Sequence, residues 1–272
     1  MGQSVDVAAR FDRISEVYDE TRDPLSDEAL DKLAGSLRND GCASLLEVGV
    51  GTGRIAKPLL QRGFDITGAD LSRRMMARAK QKGLRNLVMG DANGLPFLEM
   101  SFDGVILAHV IHLLDDPGVT FRKLGRIARN EMVVLVRKRE RGEEGEMSWD
   151  VGGELREEFR NAAREMNQSI PPRPDWRGSI AKESEFVSAS HPDEVITLED
   201  VQIVTNLGER LSLLEKRAFG YDPVVSDEIF HELVERVRSR VDTSKEIRYR
   251  RVEEMAVWRL PITGAADRPL HP

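Results

Sequence analysis

The sequence predicts an α/β fold, a doubly wound, mostly parallel sheet of seven strands with an antiparallel last strand. Three observations predict it. Short apolar runs alternate with segments of helical period, a glycine-rich turn follows the first run, and acids stand at the ends of the first three.

The first run, Ala43 to Val48, passes into Gly49-Val50-Gly51-Thr52-Gly53, after which Ile55 and Leu59 resume at helical spacing. Glycine lacks a Cβ, so such a turn adopts conformations closed to other residues and lets a ligand approach the main chain. Glu47 sits just inside the strand end, where a carboxylate can accept hydrogen bonds from the turn or from a ligand. The dinucleotide fingerprint G-x-G-x-x-G fails because Arg54 occupies its third glycine position. The phosphate-loop pattern fails too, since no Gly-Lys-Ser/Thr follows. On the turn alone, a tight strand–helix connection without a ligand remains an alternative.

The second run, Phe64 to Asp70, ends in an acid 17 residues beyond Gly53. That is close to the offset of about 20 at which a carboxylate meets a ribose hydroxyl in doubly wound nucleotide sites. Ser72 offers a helix N-cap, and Met75, Met76 and Ala79 share one face of the helix it opens. A third strand, Asn86 to Met89, ends at Gly90-Asp91-Ala92. Leu95-Pro96-Phe97 and Ser101-Phe102-Asp103 lead into a fourth, Gly104 to Val110. Open α/β sheets bind ligands at strand carboxyl ends, and there the three acids collect.

The turn Glu47-x-Gly49-x-Gly51-x-Gly53 resembles the first motif of class I S-adenosylmethionine (SAM) dependent methyltransferases. With Asp70-Leu71-Ser72-x-x-Met75, Gly90-Asp91-Ala92-x-x-Leu95-Pro96-Phe97, Ser101-Phe102-Asp103 and His112-Leu113-x-Asp115, it resembles their ubiquinone/menaquinone C-methyltransferase-like branch, over roughly residues 8 to 138. The resemblance implies a Rossmann-like core, SAM as cofactor and S-adenosylhomocysteine as product. It implies that Glu47 and the backbone of Gly49, Gly51 and Gly53 face the amino-acid part of SAM. Asp70 would bind the ribose hydroxyls, and Leu71 and Met75 would pack against the adenine. Asp91 and Ala92 would read the adenine edge, and Ala108 and His109 would lie beside the methionine moiety and the methyl group. Two departures stand out. Arg126-Ile127-Ala128-Arg129-Asn130-Glu131 replaces the Lys-Pro-Gly-Gly turn of many relatives, and Ile111-His112 replaces their histidine pair.

Near the amino terminus Phe11, Ile14 and Tyr18 recur at helical spacing. They predict a helix packed on the core or, as the resemblance implies, a flap over SAM with Tyr18 near the sulfonium and Arg22 near the methionine carboxylate. A ring beside a sulfonium gains about 1 kcal/mol or more of cation–π attraction where water is excluded.

After strand five (Met132 to Val136) the character changes. The expected elements are a helix over 154–166, a proline-rich stretch over 170–178, a helix over 197–206, a strand over 209–220, a helix over 226–241 and a strand near 252–260. The chain divides into a helical flap (1–40), the SAM-binding core (41–139), a lid-like insert in the acceptor region (140–194), completion of the sheet (195–262) and a flexible tail (263–272). Trp149 and Trp176, with Phe159 and Met166, supply apolar surface for an acceptor pocket, a small satellite core or a dimer contact.

Forty Lys+Arg against 47 Asp+Glu give a net charge of −7, so the molecule as a whole has no electrostatic reason to seek nucleic acid or an anionic membrane. A single cysteine, Cys42, excludes an internal disulfide and a multi-cysteine metal site, and no metal is expected. No apolar run is long enough to span a bilayer and no signal-peptide core is present, so a cytoplasmic location is expected. The oligomeric state is left open, a homodimer included.

The expected function is methyl transfer from SAM, by in-line displacement, to a small, partly apolar acceptor. His109 and His112 are the candidate general bases, because imidazole titrates near neutral pH. Two alternatives stand beside it. One is a methyltransferase acting on tRNA or protein through Arg137, Lys138, Arg139 and Arg141, a patch that Glu140, Glu143 and Glu144 dilute. The other is a SAM- or nucleotide-binding module without catalysis.

Overall fold

The computed structural model describes residues 2–140, 153–168, 185–216 and 225–260. Trp149, Trp176, the proline-rich stretch and the tail lie outside them. The seven strands are β1 (Ser44–Val48), β2 (Asp65–Asp70), β3 (Asn86–Met89), β4 (Phe102–Ala108), β5 (Ala128–Glu140), β6 (Glu194–Asn206) and β7 (Glu246–Arg259). Their order is β3-β2-β1-β4-β5-β7-β6. β1 to β5 pair in parallel, and β7 runs antiparallel to both β5 and β6. This is the doubly wound sheet the sequence predicts. Strand order reverses between β1 and β4, which opens a crevice at their carboxyl ends.

The central strands β1, β4 and β5 are largely apolar on both faces because helices cover both. On one side α2 (Asp27–Asn39), α3 (Ala56–Gln61) and α4 (Arg73–Gln81) enclose Leu33, Leu37, Leu45, Leu59 and Ile106. On the other, α5 (Pro117–Ile127) brings Phe121 and Leu124 against Leu46, Leu107 and Trp258. The caps follow the sequence: Ser26, Ser72 and Asp116 each accept a backbone N–H of the first turn of α2, α4 and α5. An amino-terminal helix, α1 (Gly2–Ile14), lies across α4.

The carboxyl-terminal third departs from expectation. Residues 197–206, expected as a helix, belong to β6, and residues 209–215, expected as the start of a strand, belong to a helix, α7 (Leu207–Glu215). Thr197, Val201, Ile203, Val204 and Thr205 are β-branched and suit a pleated surface, while Asn206 caps the helix that follows by accepting from the Glu209 N–H at 2.8 Å. β5 is also longer than expected, running from Ala128 to Glu140. Two further helices are α6 (Gly153–Glu165) and α8 (Asp227–Arg238). With α7 they form a satellite core in which Phe159, Leu211, Phe230 and Leu233 meet, the Phe159 and Phe230 rings 5.8 Å apart. No helix among the described residues is long and apolar enough to cross a membrane.

Candidate functional site

A cavity with an empty volume of about 850 Å³, counting its open mouth, sits at the carboxyl ends of β1 to β4 under α1. Each strand delivers residues to it: Gly49 and Gly51 after β1, Asp70 and Leu71 after β2, Asp91 and Ala92 after β3, and Ala108 and His109 after β4. Met75 comes from α4, and Phe11 and Tyr18 form the roof. Ten expected site residues therefore line one crevice. Glu47, Gly53, Arg22 and His112 stand back from it.

Gly49, Gly51 and Gly53 all have positive φ. At Gly51 (φ +54) a Cβ would meet nothing closer than the Gly49 carbonyl at 3.9 Å, so the backbone lies open to a ligand. Gly53 (φ +79) has another cause: a Cβ there would come within 2.4 Å of Leu84, so this glycine lets the turn pack against the end of α4. Behind the turn, Glu47 is only 3 % exposed. Burial pushes its carboxyl up to about 8, against the lowering effect of the Ala56 N–H. Its Oε2 has no hydrogen-bond partner among the described residues.

Asp70 is held rigidly. Its Oδ2 accepts the Gly51 N–H at 2.7 Å and its Oδ1 the Ser72 N–H at 2.7 Å. Burial raises its pKa, and these N–H groups oppose the rise. Asp91 caps the 3₁₀ turn after β3 by accepting from the Asn93 N–H at 2.8 Å. The second lone pair of each oxygen leaves these carboxylates able to accept from a ligand as well.

The amino-terminal segment is pinned over this floor. The Asp12 Oδ1 accepts from the Ser72 hydroxyl at 2.5 Å and from the Arg74 N–H at 3.0 Å. Asp19 accepts from the buried Thr52 hydroxyl at 2.5 Å and pairs with Lys82 at 2.6 Å. α1 ends at Ile14, so Tyr18 lies past the helix on which the spacing placed it. Its ring stands edge-on to Phe11, with the Arg22 guanidinium 5.0 Å from its centroid.

His109 has φ +56, a left-handed conformation uncommon for a side-chain-bearing residue and found at functional sites. Its side chain is 24 % exposed, and Nε2 lies 3.0 Å from Oε1 of the fully buried Glu253. The other Glu253 oxygen takes Arg137 Nε at 2.7 Å. Burial alone would raise the Glu253 pKa, but His109 and Arg137 hold it down to about 2. The sequence reading overlooked Glu253. Its one local signal is a pair of acids, Glu253-Glu254, within an otherwise apolar strand end. His112, in the 3₁₀ turn after β4, does not share this arrangement.

Residues 46–136 match the family described as a methyltransferase domain. Over this stretch the chain is similar to methyltransferase domains. A phosphatidylethanolamine N-methyltransferase of Cereibacter sphaeroides is 29% identical over 139 residues, 48% of this chain and 68% of its own. A demethylmenaquinone methyltransferase of Beutenbergia cavernae is 34% identical over 130 residues, 46% of this chain and 54% of its own. The chain thus spans about half to two thirds of the length of these relatives. A solved magnesium protoporphyrin IX methyltransferase from Synechocystis with bound SAM is 12% identical, covering 93% of this chain and 98% of its own at a TM-score of 0.43. The methyltransferase domain match ends at Val136, so Arg137 and Glu253 lie beyond it.

Proposed function

We propose that the protein is a SAM-dependent methyltransferase that methylates a small, partly apolar acceptor. The observation that carries this reading is the convergence of the open Gly51 backbone, Asp70 and Asp91 on one crevice beneath Tyr18, with an unpartnered carboxylate oxygen of Glu47 behind the turn. The residues fit the cofactor. Glu47 offers an acceptor for its ammonium group, Asp70 for the ribose hydroxyls and Asp91 for the adenine amine, while Leu71 and Met75 supply apolar walls. SAM brings a methyl group already made electrophilic by the sulfonium. The protein's task is then to align the reactants and exclude water, and alignment is worth about 7–11 kcal/mol in favourable cases. Phe11 and Tyr18 keep water out from above. His109 serves as the base where the acceptor must lose a proton: Nε2–H faces Glu253, which leaves Nδ1 as the accepting nitrogen.

Calorimetry with S-adenosylhomocysteine and with NAD tests the cofactor, and labelled methyl transfer across quinone precursors, small amines, phenols and total RNA tests the acceptor. Binding of S-adenosylhomocysteine that is lost in Asp70→Ala and in Gly51→Val is the expected result. A tight NAD signal with none for S-adenosylhomocysteine overturns the assignment.

A further inference from the structure

An imidazole that works as a base at one nitrogen needs its other nitrogen fixed, and the sheet supplies the means. β5 outruns β4, so Arg137 lies past the last rung between them, and in the antiparallel register Glu253 of β7 stands directly opposite it. His109 follows the end of β4. Its N–H still reaches the Leu135 carbonyl of β5 at 3.2 Å, while its left-handed backbone ends the strand there. The imidazole thus lies in the cavity wall with Nε2 3.0 Å from Oε1 of Glu253.

Glu253 is fully buried and Arg137 nearly so. Apolar side chains filling the same space would often stabilise a fold as well as such a pair does. What the pair adds is an acceptor-only oxygen at a fixed place. Arg137 Nε donates to Oε2 at 2.7 Å, and its Nη2 reaches the Asp23 carbonyl at 3.4 Å, so the carboxylate is held from its far side. Burial pushes the Glu253 carboxyl up, but His109 and Arg137 outweigh it and keep the group ionised. An ionised carboxylate can only accept, so the ring nitrogen that faces Oε1 carries a proton. Oε1 has no hydrogen-bond partner among the described residues, the imidazole being close without being aligned. Contacts of this kind are often loose before substrate binds and tighten in the complex.

We propose that Glu253, clamped by Arg137, is the positioning residue that fixes His109 as the Nε2–H tautomer, and that the acceptor accordingly presents a nucleophile still bearing its proton, a hydroxyl or an amine. Nδ1 takes that proton as the O–H or N–H bond breaks. The bonding pair stays on the oxygen or nitrogen as the attacking lone pair, and Glu253 stabilises the imidazolium until its proton passes to water. The tautomer is a property of the folded chain, while its use as a base rests on the methyl-transfer reading. Nitrogen NMR of protein carrying isotope-labelled histidine reads the tautomer, with His109→Gln identifying its signals among the five histidines. At a pH where the ring is neutral, wild-type His109 carries its proton on Nε2. In Glu253→Gln the guanidinium, a donor only, keeps the amide oxygen, so the amide nitrogen faces Nε2 and the ring proton moves to Nδ1. With the phenols and amines of the methyl-transfer screen, the same variant lowers kcat about a hundredfold or more and leaves KM and S-adenosylhomocysteine affinity within about threefold. A wild-type ring protonated on Nδ1 overturns the inference without need of any variant. So does a Glu253→Gln ring that keeps the wild-type tautomer, or a screen in which pyridine and dimethyl sulfide, which offer a lone pair but no proton, are methylated faster than any phenol or amine. Wild type with the expected tautomer but no affinity for S-adenosylhomocysteine sinks the methyltransferase assignment and leaves the hold of Glu253 on the imidazole standing.

Discussion

At the scale of single residues, Glu47 has the most measurable consequence. Its carboxyl is raised by burial from 4.5 to about 8. Between those values the folded protein holds a proton that the unfolded chain has released, so stability falls as pH rises. The contribution is complete below pH 4.5 and is lost as pH climbs through about 8. Glu131, likewise raised to about 8 by burial, acts in the same direction. The melting temperature of wild type should therefore drop between about pH 5 and about pH 8.5, and Glu47→Gln should drop less steeply. Equal slopes would show that Glu47 titrates alike in both states. The position of Glu47 was legible in the sequence because the motif fixes it at a strand end. Its protonation was not, since that depends on side chains far along the chain that bury it.

Among elements, the amino-terminal segment depends on a few polar contacts. In the sequence, Asp12 and Asp19 look like ordinary surface acids. Their partners, Ser72, Thr52 and Lys82, lie far along the chain, so only the fold reveals the docking. Thr52→Val keeps the side-chain shape and removes the donor to Asp19, and such a loss costs about 1–3 kcal/mol. The expected outcome is faster proteolysis within residues 2–21 and roughly tenfold weaker S-adenosylhomocysteine binding, with the core melting almost unchanged. Unaltered proteolysis and affinity would mean that the segment is held by its apolar face alone. β6 and α7 show where local patterning misleads. Leu198, Val201 and Thr205 also fit a helical face, and the β-branched content of 195–205 settles the matter only once β7 is there to pair with it.

At the scale of the molecule, burial among the described residues falls into two main clusters on the sheet and a third among α6, α7 and α8. The sheet half was legible because its strands are short, apolar and closed by glycines and acids. The satellite was legible only as one of three options for Phe159 and Met166, because its helices gather around strands that lie far apart in the sequence. Phe159→Ala empties space in the satellite, and such substitutions cost about 3–5 kcal/mol. Unfolding should then split into two steps, with S-adenosylhomocysteine affinity retained by the sheet half. A single cooperative transition that takes the affinity with it would make the two halves one folding unit.

β4 stops pairing with β5 at Leu135, yet β5 and β7 continue together past it. At about 3.3 Å per residue, residues 246–254 of β7 project roughly 30 Å beyond that rung. One face of this ribbon reads Ile247 and Tyr249 in the satellite, then Arg251 and Glu253 among the charges, then Met255 in the main core. The ribbon is a torsion bar whose handle is the satellite and whose grip is Glu253 on His109. A partner or mutation that twists the far helices is therefore expected to shift Glu253 and, with it, the His109 ring in the crevice wall.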